Sequence, residues 1–139
     1  MKFWQMTALT GLVLTLGGCF KSEAPKCSDK EVVQLVKQIY TEHIGELSKS
    51  NPMFMIFAAA IPKKIVKIDS ARPVSYDEKI HLRQCKAQAY FDDNRTAPIE
   101  YTVQLDEKNS DQFYVELSFE FLQPLAQQGM MQQILKDKE

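Results

Sequence analysis

The chain has 139 residues, enough for one domain and too few for two. A net charge of −1 with no basic run excludes the electrostatic footprint that nucleic-acid binding requires. An apolar content of 45% is ordinary for a folded domain and leaves disorder to the ends.

Lys2 and the amino terminus form a weakly positive start, and residues 3–16 supply an apolar run. Leu16-Gly17-Gly18-Cys19 closes that run, placing a cysteine directly after two small residues. The arrangement resembles the lipobox of bacterial lipoprotein signal peptides. The resemblance implies that residues 1–18 are a cleaved signal and that the Cys19 thiol carries a diacylglycerol. It also implies that the freed amine is acylated, with palmitate-type chains holding the protein on the cell envelope. Two or more acyl chains anchor stably, whereas one binds only marginally. Phe20 stands where an aspartate would resemble the inner-membrane retention signal, which leans the expectation toward the outer membrane, facing the periplasm. A permanent membrane helix is the competing reading. Residues 3–20 are barely long enough to span, and Gln5, Thr7, Thr10 and the glycine pair weaken them.

Removing residues 1–18 leaves 121 residues and moves the net charge from −1 to −2, because Lys2 leaves with them. With Cys19 committed to lipid, only Cys27 and Cys85 remain, so one intramolecular pairing is possible. Export into an oxidising compartment predicts a Cys27–Cys85 disulfide. A metal site is the competing use, but the two cysteines are 58 positions apart without a CxxC or an HxxxH. Residues 19–26 read as the lipidated cysteine and a polar tether containing Pro25, and residues 27–139 as a single α+β domain. Six residues of tether reach roughly 20 Å at full extension.

Ser28-Asp29-Lys30-Glu31 has the form of a capping box, with Ser28 as N-cap and Glu31 at N3. Behind it Val32, Leu35, Val36, Ile39, Tyr40, His43 and Leu47 recur at helical spacing. Asn51-Pro52 then begins a short second helix. Residues 53–61 contain no polar side chain and are too few to span a bilayer. A helix buried on all sides is the favoured reading. The functional alternative is a patch led by Met53, Phe54 and Phe57 that meets a membrane, an apolar ligand or a partner.

From Lys63 the period changes to two. Strands are predicted over 65–74, 80–91, 97–105 and 113–121, with turns at 76–79, 92–95 and 106–111. Pro73 suggests an edge or a bulge. One apolar and one polar face per strand signals an antiparallel sheet covered on one side, here by the first helix. Pro124 is predicted to open a final helix carrying Leu125, Met131, Ile134 and Leu135. The expected fold is therefore α+β: an N-terminal helix and a short second one on a four-stranded antiparallel sheet, with a C-terminal helix. In patterning alone it resembles cystatin-like exported domains.

No catalytic residue, metal ligand or cofactor site is predicted. GxSxG, HExxH, P-loop and Rossmann motifs are missing from the sequence. His43 sits on the apolar stripe and reads as a core or boundary residue, and His81 reads as a solvated strand residue beside Arg83. Asp92, Asp93 and Asn94 suit a hairpin tip better than a calcium loop. Tyr90 and Tyr114 fall off the core side and are expected to form an exposed cross-strand pair that binds a partner. The function expected is a non-enzymatic, membrane-anchored binding module, such as an inhibitor, an immunity or exclusion factor, or an envelope-complex partner. Its partners would be the membrane, through Cys19, and a protein of unknown identity. A carrier of lipid or another apolar ligand is the alternative.

Overall fold

The computed structural model describes residues 23–50 and 52–138. Cys19 and residues 1–18 lie outside these. The order is α1 (Lys30–Ser50), α2 (Pro52–Ala59), β1 (Ile65–Asp77), β2 (Leu82–Phe91), β3 (Thr96–Leu105), β4 (Phe113–Leu117) and α3 (Leu122–Asp137). The strands form one antiparallel meander in the order β1-β2-β3-β4, so the protein is α+β as its patterning required.

The first helix begins one residue later than the capping box placed it. The Asp29 carboxylate, not Ser28, accepts from the Glu31 N–H at 2.9 Å. Asp29 also supplies the first helical carbonyl, to Val33 N–H at 2.9 Å. A turn at the cystine, in which Asp29 N–H donates to Lys26 O, moves the start along by one. Val32, Val36, Tyr40 and Ile44 make the buried ridge, each four residues from the last. Ile44 replaces His43 and Leu47 at its centre, and these two flank it half-buried. A straight row of i+4 contacts against a sheet selects one such ridge.

Cys85, Ala87, Ala89 and Phe91 of β2 face this ridge. They lie in register with β3, Cys85 opposite Tyr101, Ala87 opposite Ile99 and Ala89 opposite Ala97. Three alanines in the middle of the sheet leave room for the helix to approach, and larger side chains close the ends. The Tyr40 ring packs against Phe91 at 5.4 Å and stacks on Phe121 at 5.9 Å. Cys27 and Cys85 form a disulfide with Cα atoms 5.7 Å apart, stapling the foot of α1 to β2. The Tyr101 hydroxyl donates to Cys27 O at 2.7 Å beside it.

Other boundaries differ from expectation as well, and β3 begins one residue early, at Thr96. β4 stops at Leu117 rather than residue 121. Phe119 and Phe121 keep the two-residue spacing but leave the sheet, Phe119 to lie on His43 and Phe121 to close the core over Tyr40. β1 runs on to Asp77, as an edge strand broken by register shifts around Ser70 and Pro73. Ser70 has φ 57°, the left-handed conformation of a bulge. β2 starts at Leu82, because His81, with φ 50°, belongs to the preceding turn. α3 starts two residues before Pro124, which then sits in the first turn where its missing N–H costs nothing.

Candidate interaction surfaces

The Met53 segment is the largest departure from the sequence reading. α2 is not buried on all sides: Met53 is 76% exposed, Ile56 71% and Met55 62%. Phe54 is just over a third exposed, and Phe57, half-buried, meets it edge-on at 6.2 Å. Only at Ala60 and Ile61 does the run turn inward. Geometry explains this. α1 passes the end of the sheet near Tyr40, whose hydroxyl donates to Pro62 O at 2.6 Å. The ten residues of α1 after Tyr40 rise about 15 Å further, and α2 returns along them with no sheet left to cover it.

Arg95, from the β2–β3 turn, holds the root of this projection. Its guanidinium donates to Ala60 O at 2.8 Å and to Leu125 O at 2.6 Å, and pairs with Asp93 at 2.8 Å. α3 crosses at the same point. A Cβ on Gly129 would overlap the Ala60 carbonyl, so only glycine lets the two backbones meet there. Beyond Gly129, Met131, Ile134 and Leu135 are each more than half exposed, and Met130 somewhat less. At about 200 Å² for each fully exposed large apolar side chain, α2 presents roughly 490 Å² and α3 roughly 410 Å². The largest apolar patch on a typical monomer is about 300–600 Å².

Tyr90 and Tyr114 share the open face of the sheet but do not form a pair. Tyr90 lies opposite Thr96 at one end, and Tyr114 lies opposite Gln104 near the other. Each is taken up locally. The Lys67 ammonium sits 5.3 Å over the Tyr90 ring. The Tyr114 hydroxyl donates to Asp106 at 3.0 Å, and that bond raises its pKa. The alternation placed both outward correctly, but residue parity does not give the position along the strand. A groove of about 330 Å³ lies nearby, between Pro98, Glu100, Ser118 and the Phe121–Leu125 turn, open to the outside.

At the opposite end of the sheet from α2, the chain leading into α1 is docked. Ala24 and Pro25 are buried. Arg83 donates to Pro25 O at 3.0 Å and Ala24 O at 2.9 Å, lies 4.6 Å over the Tyr76 ring, and stands 3.6 Å from Glu23. The Tyr76 hydroxyl accepts from Ala24 N–H at 3.1 Å and meets His81 Nδ1 at 3.2 Å. The second half of the expected tether is therefore part of the body. In the sequence Arg83 stands out only as a neighbour of His81. Its salience comes from being the one cation on the core-side alternation of β2, a signal legible in principle.

The remaining polar groups are engaged structurally. His43 lies flat on Phe119 with ring centroids 3.8 Å apart. Asp92 accepts from the Lys63 N–H at 3.1 Å and the Lys64 N–H at 3.4 Å, which ties the start of β1 to the β2–β3 turn. Burial, with the Asp92 and Asp93 charges second, holds the Tyr40 phenol far above its usual range. Burial pushes Tyr101 up to about 12. Among the described residues, no cluster of three or more His, Cys, Asp or Glu is placed to hold a metal, and no helix is long and apolar enough to cross a membrane. Compared with known families, curated proteins and solved structures, the chain matches none.

Proposed function

We propose that the chain is a lipoprotein of the bacterial envelope, held on the membrane by acyl chains at Cys19, whose body is a non-enzymatic interaction module facing the periplasm. The observation that carries the binding role is the apolar surface of α2 and α3. A body that closes its core around α1, the sheet and Phe121 leaves four large apolar side chains on each of two other helices in water. Each surface is as large as the largest apolar patch of a typical monomer, and such a patch is often the one that meets something else. The lipobox-like Leu16-Gly17-Gly18-Cys19 supports the anchor, and the Cys27–Cys85 disulfide suits an oxidising compartment. The carrier alternative has less support. The space between α1 and β2 is filled by Tyr40, Phe91 and Phe121, and the groove beside Pro98 lies outside the core.

Two measurements test this. Intact mass of the chain isolated from envelopes is expected to show residues 1–18 gone and a diacylglyceryl group on Cys19; an uncut, unmodified chain overturns the anchor. A photo-crosslinker at Met131 is expected to give one discrete protein adduct in intact envelopes, lost on Leu135→Glu. No adduct above that from a crosslinker at Gln84, on the open sheet face, overturns the role of α3.

A further inference from the structure

α2 differs from the rest of the surface in three ways that point to one occupant. First, it has no polar side to keep in water: Pro52-Met53-Phe54-Met55-Ile56-Phe57-Ala58-Ala59 is apolar around its whole circumference. A helix apolar all round is one covered on every side, by protein or by membrane, and here the protein covers only the side toward α1.

Second, the chain flanking α2 carries charge of one sign, although Asp92 and Asp93 of the β2–β3 turn stand at its root. Between Glu46 and Asp69 there are four lysines, at 49, 63, 64 and 67, and no acidic residue, in a chain whose net charge is −1. Lys67 pairs with Asp69 at 3.6 Å, and Asp92 takes up the backbone N–H groups of Lys63 and Lys64 rather than their side chains. Lys49 stands at one end of α2 and Lys63 with Lys64 at the other. From these places lysine stems can lie along apolar surface and bring their ammonium groups to lipid phosphates.

Third, the two serine hydroxyls at the projecting end of α1 turn back on the helix. The Ser48 hydroxyl donates to Gly45 O at 2.9 Å and the Ser50 hydroxyl to Leu47 O at 3.2 Å, which serves two carbonyls of the last turns of α1. Pro52, opening α2, has no N–H to leave unpaired. Backbone placed at the edge of hydrocarbon has to be satisfied in this way, since little water is there to help.

We infer that α2 seats in the interface of a bilayer containing anionic lipid, with Met53 and Ile56 below the phosphates and Lys49, Lys63 and Lys64 among them. This deepens the membrane-held reading above and rests on it. The geometry supplies a reason for a second contact. The chain enters the body at Arg83, at the other end of the sheet, and from Arg83 to Phe91 β2 covers about 26 Å. From Cys19 to Glu23 the chain reaches at most about 14 Å. Lipid at Cys19 holds only the Arg83 end. Seating α2 holds the far end as well, so the domain lies along the bilayer instead of pivoting on its anchor, with α3 left for a partner.

The test uses the chain as isolated from envelopes, with Trp4→Phe so that any uncut chain adds no tryptophan signal, reconstituted into phosphatidylcholine vesicles with and without phosphatidylglycerol. Ile56→Trp, and Met53→Trp as a second variant, place the probe on exposed positions of α2. Gln84→Trp on the open face is the reference. On vesicles with phosphatidylglycerol, emission at 53 and 56 is expected to shift to the blue. Spin-labelled lipid should quench it several-fold more than at 84, and Lys63→Gln with Lys64→Gln should reduce that quenching. Iodide quenching at 56 as strong as at 84 overturns the inference in favour of a helix left in water. A blue shift without lipid quenching overturns it in favour of a protein covering α2. Intact mass of the same samples reports the anchor separately. Absence of lipid on Cys19 defeats the membrane-held reading while the quenching still decides where α2 sits.

Discussion

The two ends of this molecule use the same residue types in opposite ways. At the Cys27 end, Val32, Val36, Cys85, Ala87 and Ile99 belong to one core with almost no surface left to water. At the other end, Met53, Ile56, Met131 and Leu135 are as apolar and stand more than half exposed. Apolar content therefore does not decide burial here. What decides it is whether a second layer exists opposite: the sheet ends near Phe91 and Arg95, and α1, α2 and α3 continue past it. The closed end accounts for stability, and the open end is free for recognition.

The sharpest way to break that division is to cut the staple of the closed end. Cys27→Ala with Cys85→Ala opens a loop of 58 residues. In the chain-entropy account this is expected to lower unfolding free energy by about 4 kcal/mol, read by denaturant titration. Ile99→Ala, in the middle of the same layer and 1% exposed, should cost roughly 2–5 kcal/mol in the same assay by leaving a cavity. Gly129→Ala tests the boundary between the two ends. Its Cβ meets the Ala60 carbonyl, so α3 has to lift away from the projection. The expected loss is about 1–3 kcal/mol. Faster exchange of amides after Leu125, with those of β2 unchanged, would show that only the far end had loosened.

Tyr101→Phe is smaller and carries a pH signature. It leaves Cys27 O without its donor, which should cost about 1–3 kcal/mol at neutral pH. The folded-state pKa is raised from 10.0 to about 12 by burial, so between those values the native state holds a proton that the unfolded chain has lost. Stability therefore falls as pH rises above about 10, levels off for this group beyond 12, and is untouched by it at lower pH. Tyr40 shifts in the same direction, through burial first. The variant should lose the Tyr101 part of that alkaline slope and keep the Tyr40 part.

The closed end was legible in the sequence because its periodicities are statements about contact. The α1 stripe, the two-residue alternation from Cys85 to Phe91 and the cysteine pairing each name a partner surface, and the structure joins them. The open end was not legible, for a physical reason. Residues 53–61 have no polar member, so they have no period, and without a period nothing in them says whether a second layer lies opposite. Alternation also ran past its meaning at Phe119 and Phe121, where the spacing of a strand is reused by a turn. Tyr90 and Tyr114 failed differently: parity gave their face, but register, which depends on turn length, set them at opposite ends.

The smallest expected effect is also the one that separates the two ends most cleanly. Ile56→Ala removes the same atoms as Ile99→Ala from a side chain that is 71% exposed instead of 1%. It leaves no cavity, and alanine is at least as good a helix former as isoleucine. Unfolding free energy is therefore expected to change by less than about 0.5 kcal/mol. If Ile56→Ala instead cost as much as Ile99→Ala in a dilute, lipid-free detergent solution, α2 would have to be covered by the protein itself. The open end would then be core, and the division on which its recognition role rests would fail. A near-zero change beside a weakened hold on anionic vesicles would place the contribution of Ile56 outside the fold, in what α2 touches.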